Sequence, residues 1–239
     1  MTATTTWTDR YWNSSDGLKL HYRDYNGPHD RPPILCLPGL TRNARDFEPV
    51  AEHFAGDWRV IAVDLRGRAG SAPDPDSKNY HPRVYVADIM KLLDQLGIAN
   101  AVFIGTSLGG LCTMVLALTD VERIAGALLN DIGPVIDPAG IARIASYVGT
   151  PARFDSWDTA IEEISGRIGD VYPDLDRAAW DRFVRRTMRE ENGSIVFDYD
   201  MKIADTFTQP GEAPPSDTWP FFLALGGRPV TLLRGELSD

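Results

Sequence analysis

The chain is poor in the residues that form disulfide frameworks and metal sites. It has only two cysteines, Cys36 and Cys112, and four histidines among 239 residues. Both cysteines lie within apolar runs, where a thiol usually behaves as a small buried hydrophobic side chain. No cluster of Cys and His has the spacing of metal ligands. We therefore predict neither a disulfide between the two cysteines nor a bound metal ion.

A surplus of positive charge is also missing. Lys and Arg number 24 against 34 Asp and Glu, which gives a formal net charge of −10. Nucleic acids and anionic membranes attract clustered Lys and Arg, so we expect neither as a partner. No apolar run is long enough to span a bilayer. The polar segment 1–16 lacks the basic and then apolar order of a secretory signal, and we expect a cytoplasmic protein.

Short apolar runs alternate with amphipathic segments through the first 134 residues. Buried strands are predicted at 34–37, 59–63, 101–104 and 124–129. A helix is predicted over 82–96, because Pro82 suits a first helical turn and Gly97 ends the apolar spacing. Continuous apolar strands separated by helices are typical of a parallel sheet covered on both faces. The pattern therefore predicts an α/β fold with a doubly wound, mostly parallel sheet.

The pattern changes after residue 134. Helices are predicted at 141–147, 157–168 and 175–188 with no buried strand between them, followed by a short helix at 219–225 and a strand at 229–233. This divides the chain into a first part of the core at 1–134, an inserted helical cap at 135–216 and a second part of the core at 217–239. Such a cap would enclose a site and select the substrate. Four aromatic residues are candidates for its substrate-facing side or for its own core: Tyr147, Trp157, Phe183 and Phe197.

The pattern Gly-Thr-Ser-Leu-Gly at 105–109 stands between an apolar strand and an apolar helix. Small residues on both sides of Ser107 let the chain reverse tightly and place the hydroxyl at the positive end of the helix. That placement suits a nucleophile, whereas the alternative is a serine that only caps the helix. Leu40, Asp64 and Asp131 also follow predicted strands. Because the carboxyl ends of parallel strands share one edge of a sheet, we expect these residues to converge near Ser107.

Four motifs, in this order, resemble the α/β-hydrolase family and in particular its capped bacterial serine hydrolases. They are Leu-Pro-Gly-Leu at 37–40, Asp-Leu-Arg-Gly at 64–67, Gly-Thr-Ser-Leu-Gly-Gly at 105–110 and Leu-Arg-Gly-Glu-Leu-Ser-Asp at 233–239. The resemblance implies that Ser107 is the nucleophile and that the backbone amides of Leu40 and Leu108 bind the oxyanion. It also implies that Asp239 is the acid of the catalytic triad, with Asp131 as an alternative acid. It implies no cofactor.

By this resemblance, the substrate is a small, uncharged or weakly charged carboxylic ester, which forms an acyl-enzyme at Ser107. Lactones, and carbon–carbon bonds in ring-fission products, are alternatives within the family. A non-catalytic ligand-binding protein with the same fold is a competing hypothesis. The oligomeric state stays open, with a homodimer among the expected states.

The triad histidine of the family has no counterpart in these residues. The family order is serine, acid, histidine, whereas all four histidines of this chain precede the serine: His21, His29, His53 and His81. The family's last strand and closing helix are missing as well. We therefore expect a shortened or proteolysed form of a longer enzyme, inactive because the serine has no base. The alternatives are a histidine supplied by another chain and a natural pseudo-hydrolase. Only His81 is expected beside the strand ends, with His21 and His53 at surface or edge positions.

Overall fold

The computed structural model of the chain describes residues 7–207 and 217–236. Its strands are β1 (Trp7–Asn13), β2 (Lys19–Tyr25), β3 (Ile34–Leu37), β4 (Val60–Asp64), β5 (Ala101–Thr106), β6 (Ile124–Asn130), β7 (Arg153–Phe154), β8 (Met188–Glu191), β9 (Ser194–Phe197) and β10 (Val230–Leu233). Its α-helices are α1 (Glu48–His53), α2 (Pro82–Gln95), α3 (Leu108–Asp120), α4 (Pro138–Tyr147), α5 (Trp157–Ile168), α6 (Arg177–Thr187) and α7 (Trp219–Leu223). Among these described helices, none is long and apolar enough to cross a membrane.

Seven strands form one mostly parallel sheet in the order β1-β2-β4-β3-β5-β6-β10. β1 and β2 pair antiparallel with their neighbours, whereas β4, β3, β5, β6 and β10 run parallel to one another. The strand order reverses between β3 and β5, so the loops that leave these two strands diverge and open a crevice. This is the predicted α/β fold, and it fixes where a site can form.

Side chains of the central strands alternate between two apolar layers. On one face, Leu35 and Phe103 belong to the large cluster that α2 and α3 cover. On the other face, Ile34 and Cys36 pack with Phe47 beneath α1. Because successive side chains of a strand point to opposite faces, a continuous apolar strand such as β3 requires cover on both sides. The helices before and after each strand supply that cover.

The segment between β6 and β10 contains more than helices. Besides α4, α5 and α6, it forms a three-stranded antiparallel sheet in the order β7-β9-β8. Only β7, a two-residue strand with Arg153 exposed, lies between these helices, and β8 and β9 follow α6. The expectation of helices without a buried strand between them therefore did not include this small sheet. Asn192 and Gly193 connect β8 to β9 with φ angles of 50° and 76°, the backbone of a two-residue hairpin turn. Phe154, Trp180 and Ile195 lie in a hydrophobic cluster of the insert itself.

Within the part of the chain that the structure describes, β10 is an edge strand of the main sheet. It pairs with β6 on one side. Its side chains Leu232 and Leu233 are each 48% exposed. Edge strands of folded proteins usually carry charged residues or proline that discourage further pairing, and β10, with the sequence Val-Thr-Leu-Leu, carries neither.

Candidate active site

Ser107 occupies a strained turn between β5 and α3. Its φ and ψ angles are 49° and −113°, a combination that residues other than glycine rarely adopt. The Ser107 N–H donates to the carbonyl of Asn130 at 2.9 Å, and its carbonyl accepts from the N–H of Leu111 at 3.0 Å. A Cβ at Gly105 would lie 2.5 Å from the backbone nitrogen of Gly110, so only glycine lets the strand and helix approach this closely. The turn therefore holds the serine at the N-terminus of α3.

The loop after β3 runs against this turn. A Cβ at Gly109 would lie 2.1 Å from the carbonyl oxygen of Leu37, which shows how closely α3 packs on the end of β3. A Cβ at Gly39 would lie 3.9 Å from the Cβ of Ser107. Leu40 is the next residue, and both Leu40 and Ser107 line one cavity. The two loops start side by side because β3 and β5 are neighbouring parallel strands.

Two backbone N–H groups, of Leu40 and Leu108, belong to residues that line the cavity with Ser107. The N–H of Leu108 is the first of α3 and has no acceptor within the helix. The carbonyl of Gly39 accepts from the N–H of Arg42 at 3.1 Å. Because the C=O and N–H of a trans peptide point in opposite directions, this bond turns the N–H of Leu40 away from Arg42. A pair of N–H groups beside a nucleophile can stabilise negative charge on a carbonyl oxygen.

A cavity of about 540 Å³ lies beside Ser107. The core supplies one wall, with Tyr85 of α2 among its residues, and the insert supplies another through Ile141 and Ile144 of α4. The sequence signal for this second wall is the three-residue spacing of the two isoleucines, which places them on one helical face. A histidine and four charged side chains also line the cavity: His81, Asp131, Asp137, Arg143 and Arg234. The result is a largely apolar chamber with a few polar groups, as is common in small-molecule sites.

The structure brings four of the predicted site residues to this cavity: Ser107, Leu40, Leu108 and Asp131. Asp131 follows β6 with a φ of 57°. Its N–H donates to the carbonyl of Leu233 at 2.8 Å, which ties the ends of β6 and β10 together. Asp239, the predicted acid, lies outside the described residues.

His81 also lines the cavity, at the N-terminus of α2. Its Nδ1 accepts a hydrogen bond from the N–H of Arg83 at 3.2 Å. A neutral imidazole that accepts at Nδ1 carries its proton at Nε2. In this geometry Nε2 is a donor, so His81 can bind an acceptor but is poorly set up to take a proton from a serine.

The expected surface or edge position of His21 needs correction, because its ring is buried on strand β2. His21 is 7% exposed, and its Nδ1 lies 2.6 Å from Oδ2 of Asp64. Asp64 does not line the cavity, contrary to the expected convergence on Ser107. Its carboxylate accepts from the backbone N–H groups of Ala44 and Gly70 at 2.7 Å and 3.1 Å. It therefore organises two loops of the fold, away from the reacting position.

The four aromatic residues proposed for the substrate side of the insert do not line the cavity. Trp157, Phe183 and Phe197 pack on the hydrophobic cluster of the insert, and Tyr147 is 50% exposed. The alternative, that aromatic residues at helical spacing form the insert's own core, is correct for the first three. In the part of the chain that the structure describes, no group of three or more His, Cys, Asp or Glu side chains is arranged to hold a metal ion.

Comparison with known proteins agrees with the fold. A family model described as alpha/beta hydrolase fold matches residues 32–166, which include β3 to β6, the Ser107 turn and α4. The chain belongs to the α/β-hydrolase family. Its fold and its hydrolase relatives indicate that it is a hydrolytic enzyme.

Three relatives show how far the likeness extends. The chain is 31% identical over 231 residues to a 3-hydroxybutyrate-oligomer hydrolase of Cupriavidus necator, a match that covers 92% of this chain and 78% of that protein. A crystal structure of an α/β hydrolase from Novosphingobium aromaticivorans shares 51% identity with a TM-score of 0.92, over 98% of this chain and 83% of that one. An sn-1-specific diacylglycerol lipase of Xenopus laevis is 24% identical over 208 residues, which is 84% of this chain and 65% of the lipase.

Proposed function

We propose that this chain is a serine esterase in which Ser107 attacks the carbonyl carbon of a small carboxylic ester. The observation that carries the proposal is the placement of Ser107, in a positive-φ turn beside Leu40 and facing the cavity. The serine oxygen adds to the carbonyl, and the amides of Leu40 and Leu108 hold the oxyanion. The alcohol leaves with the serine proton, and water then hydrolyses the acyl-enzyme.

The cavity and the relatives support an ester as the substrate. Apolar side chains such as Leu111 and Ile132 line much of the chamber, and they suit an uncharged acyl or alcohol group. The names of two relatives, a 3-hydroxybutyrate-oligomer hydrolase and a diacylglycerol lipase, denote ester substrates. We assign residues 135–216 the role of the cap, because Ile141 and Ile144 contribute a wall of the chamber. The length of the acyl group accepted would then depend on the position of α4.

The proposed mechanism lacks an identified base that could accept the proton of Ser107. The 239 residues contain no histidine beyond position 81, and the Nδ1 atom of His81 already accepts from Arg83. A serine hydroxyl without a base is a weak nucleophile. We therefore infer that these residues alone are acylated slowly, with rate enhancement from the oxyanion site and substrate binding only.

An external base tests this proposal directly. The chain is incubated with p-nitrophenyl acetate, with and without imidazole, and acetylation of the Ser107 peptide is followed by mass spectrometry. Imidazole should raise the acetylation rate of Ser107, since it supplies the missing proton acceptor. Reading the peptide rather than nitrophenol release excludes the reaction of imidazole with the ester in solution. Ser107→Ala is the control, and its other serines should stay unmodified.

The same experiment separates the alternatives. His81→Gln should acetylate at close to the native rate, because His81 is not the base in this proposal. A large loss in that variant would assign the base to His81 and correct the inference of a missing acceptor. Absence of acetylation at Ser107 with imidazole present, while the ester binds, would favour a non-catalytic ligand-binding protein. Repeating the assay with a lactone determines whether ring esters are also attacked.

A further inference from the structure

Arg68 is a fully buried arginine directly behind the loop that carries Leu40. Its relative exposure is 0%. The guanidinium donates from Nε to the carbonyl of Leu40 at 2.8 Å, and from Nη1 to the carbonyl of Arg66 at 2.6 Å and the hydroxyl of Tyr85 at 2.9 Å. It lies over the rings of Tyr85 and Tyr80, with its carbon 5.0 Å and 5.6 Å from their centroids. Arg68 thus joins the loop after β4, the loop after β3 and the start of α2.

The hydrogen bond from Arg68 helps to hold the backbone of Leu40 in one orientation. The peptide unit before Leu40 is held by the bond from the Arg42 N–H to the Gly39 carbonyl, at 3.1 Å. The peptide unit after it is held by the Nε of Arg68. With one hydrogen bond on each side, neither peptide can rotate without breaking a bond. The direction of the Leu40 N–H is therefore set by these two contacts.

Burial of Arg68 opposes folding, so a contribution to stability does not explain why an arginine is at this position. Arg66, two residues earlier, is equally buried but is paired with the carboxylates of Asp74 and Asp88. Arg68 forms no ion pair within the described residues, and its Nη2 atom has no hydrogen-bond partner there. A buried charge without a counter-charge, and a buried donor without an acceptor, both oppose folding. Aromatic faces offset part of this cost. A neutral side chain would fill the same space without it, which points to a role in the site.

We propose that Arg68 is the positioning residue of the oxyanion site, since it holds the Leu40 N–H in the direction that the tetrahedral intermediate requires. This inference rests on the proposed function of Ser107. Arg68 is not in contact with the cavity and acts through Leu40. Displacement of a site group by about 1 Å can cost on the order of 100-fold in rate. Loss of the Leu40 contact should therefore slow acylation of Ser107 by about 10- to 100-fold without weakening ligand binding.

The test compares two substitutions at position 68 with a distant control. Arg68→Met keeps an unbranched stem as far as the position of Nε and removes the guanidinium donors. Arg68→Lys keeps the charge and one group that can reach the Leu40 carbonyl. The control is Arg59→Met, since the Arg59 side chain is only 11% exposed but donates to Asp24 at 2.9 Å and 2.8 Å at the other end of β4. Three measurements are made on each folded variant: thermal unfolding, the imidazole-assisted acetylation rate of Ser107, and the Kd of an ether in which a methylene replaces the ester carbonyl.

Arg68→Met should lose about 10- to 100-fold in acetylation rate, with the Kd of the ether within twofold of native. Arg68→Lys should fall between Arg68→Met and the native chain. Arg59→Met should keep the native rate even where its melting temperature falls, which separates positioning from general stability. If Arg68→Met does not fold, Arg68→Lys decides, because one flexible ammonium shared among three acceptors holds the Leu40 carbonyl less firmly than the planar guanidinium. Arg68→Lys should therefore acetylate more slowly than native.

The inference is overturned if the folded variants at position 68 acetylate within twofold of native, or if the rate and the ether affinity fall together. That result leaves the proposed function standing, because the native chain is still acetylated at Ser107. If the native chain itself is not acetylated, the proposed function fails and this inference fails with it. The native measurement therefore distinguishes the two failures.

Discussion

The Nδ1 atom of His21 lies 2.6 Å from a carboxylate oxygen of Asp64, and the two residues are paired across β2 and β4. Nε2 of the same ring lies 3.0 Å from Oδ1 of Asp9 on β1. Asp64 also accepts from the backbone N–H groups of Ala44 and Gly70. One imidazole thus links the antiparallel edge of the sheet to a carboxylate that holds two loops of the core.

This contact makes stability depend on pH. Burial lowers the pKa of His21, but the hydrogen bond and the charge of Asp64, together with those of Asp9, outweigh it and raise the pKa above its usual value. The folded chain therefore holds this proton more tightly than the unfolded chain. The contribution is fully present below about pH 6.5, the ordinary histidine pKa, and is lost as the pH rises through the folded pKa.

His21→Gln should destabilise the chain by about 1–3 kcal/mol, and by more at pH 5.5 than at pH 9. The measurement is the free energy of urea unfolding of both chains across this range. His53→Gln is the control, because His53 is exposed on α1, and its substitution should change stability little at any pH. A difference between native and His21→Gln that grows with pH would contradict this assignment.

The glycines of the Ser107 turn should differ sharply from a helical glycine elsewhere. Gly109→Ala places a Cβ 2.1 Å from the Leu37 carbonyl, so α3 must move away from β3, and we expect a loss of about 3 kcal/mol or more. Gly166→Ala lies on α5 with no atom within 4 Å of the new Cβ. It should stabilise by about 0.5–1 kcal/mol, since alanine favours a helix. Thermal unfolding of the two variants checks this, and equal effects would refute the close packing of α3 on β3.

The buried ion-pair cluster around Arg66 should be essential for folding stability. Its guanidinium is 1% exposed and lies 2.5 Å from Asp74 and 2.6 Å from Asp88. Arg66→Gln leaves two buried carboxylates without a counter-charge and should cost about 3–5 kcal/mol. Arg167→Gln removes a pair with Glu163 in which both side chains are 54% exposed, and should cost no more than about 0.5 kcal/mol. Denaturant unfolding of both variants measures the contrast.

The insert is held to the core by the segment that follows the Leu40 loop. The side-chain amide of Asn43 and the Nε of Arg45 both donate to the carbonyl of Arg186, at 2.7 Å and 3.1 Å. Arg45 also forms an ion pair with Asp198. Arg45→Gln should therefore loosen β8 and β9, with amide hydrogen exchange about tenfold faster there and unchanged in β5.

The matched control for the insert is Arg153→Gln. Among the described residues, Arg153 pairs with Glu191 of the insert, at 3.5 Å, and is 55% exposed. Exchange in β8 and β9 should stay at the native rate in this variant. Equal exchange in Arg45→Gln and the native chain would show that the insert is held by its other contacts.

The core of the fold is predictable because its signals are local. Four buried apolar residues after two prolines give β3, and the glycines around Ser107 give the turn between β5 and α3. β1 carries no such signal, since Trp12 alone is buried in it, and it exists through pairing with β2. The short strands of the insert are equally hard to predict from the sequence. Their one local signal is the pair Asn192–Gly193, which favours a hairpin turn.

The site is less predictable than the fold because the residues in contact there are far apart in the sequence. Leu40 and Ser107 could be brought together from strand order alone, since parallel strands end at one edge of a sheet. The partnership of His21 with Asp64 spans 43 residues, and no spacing rule connects a histidine on β2 to a particular carboxylate. The contact of Arg68 with Leu40 spans 28 residues and is equally invisible in the sequence.

The cavity wall and the sheet margin share two leucines. Leu232 and Leu233 line the chamber beside Ser107 and also form the exposed edge of the sheet on β10. A strand that paired with β10 would lie beside both leucines, because pairing adds backbone at the edge that they occupy. Extension of the sheet at β10 would therefore place new residues next to the wall of the chamber that Ser107 shares.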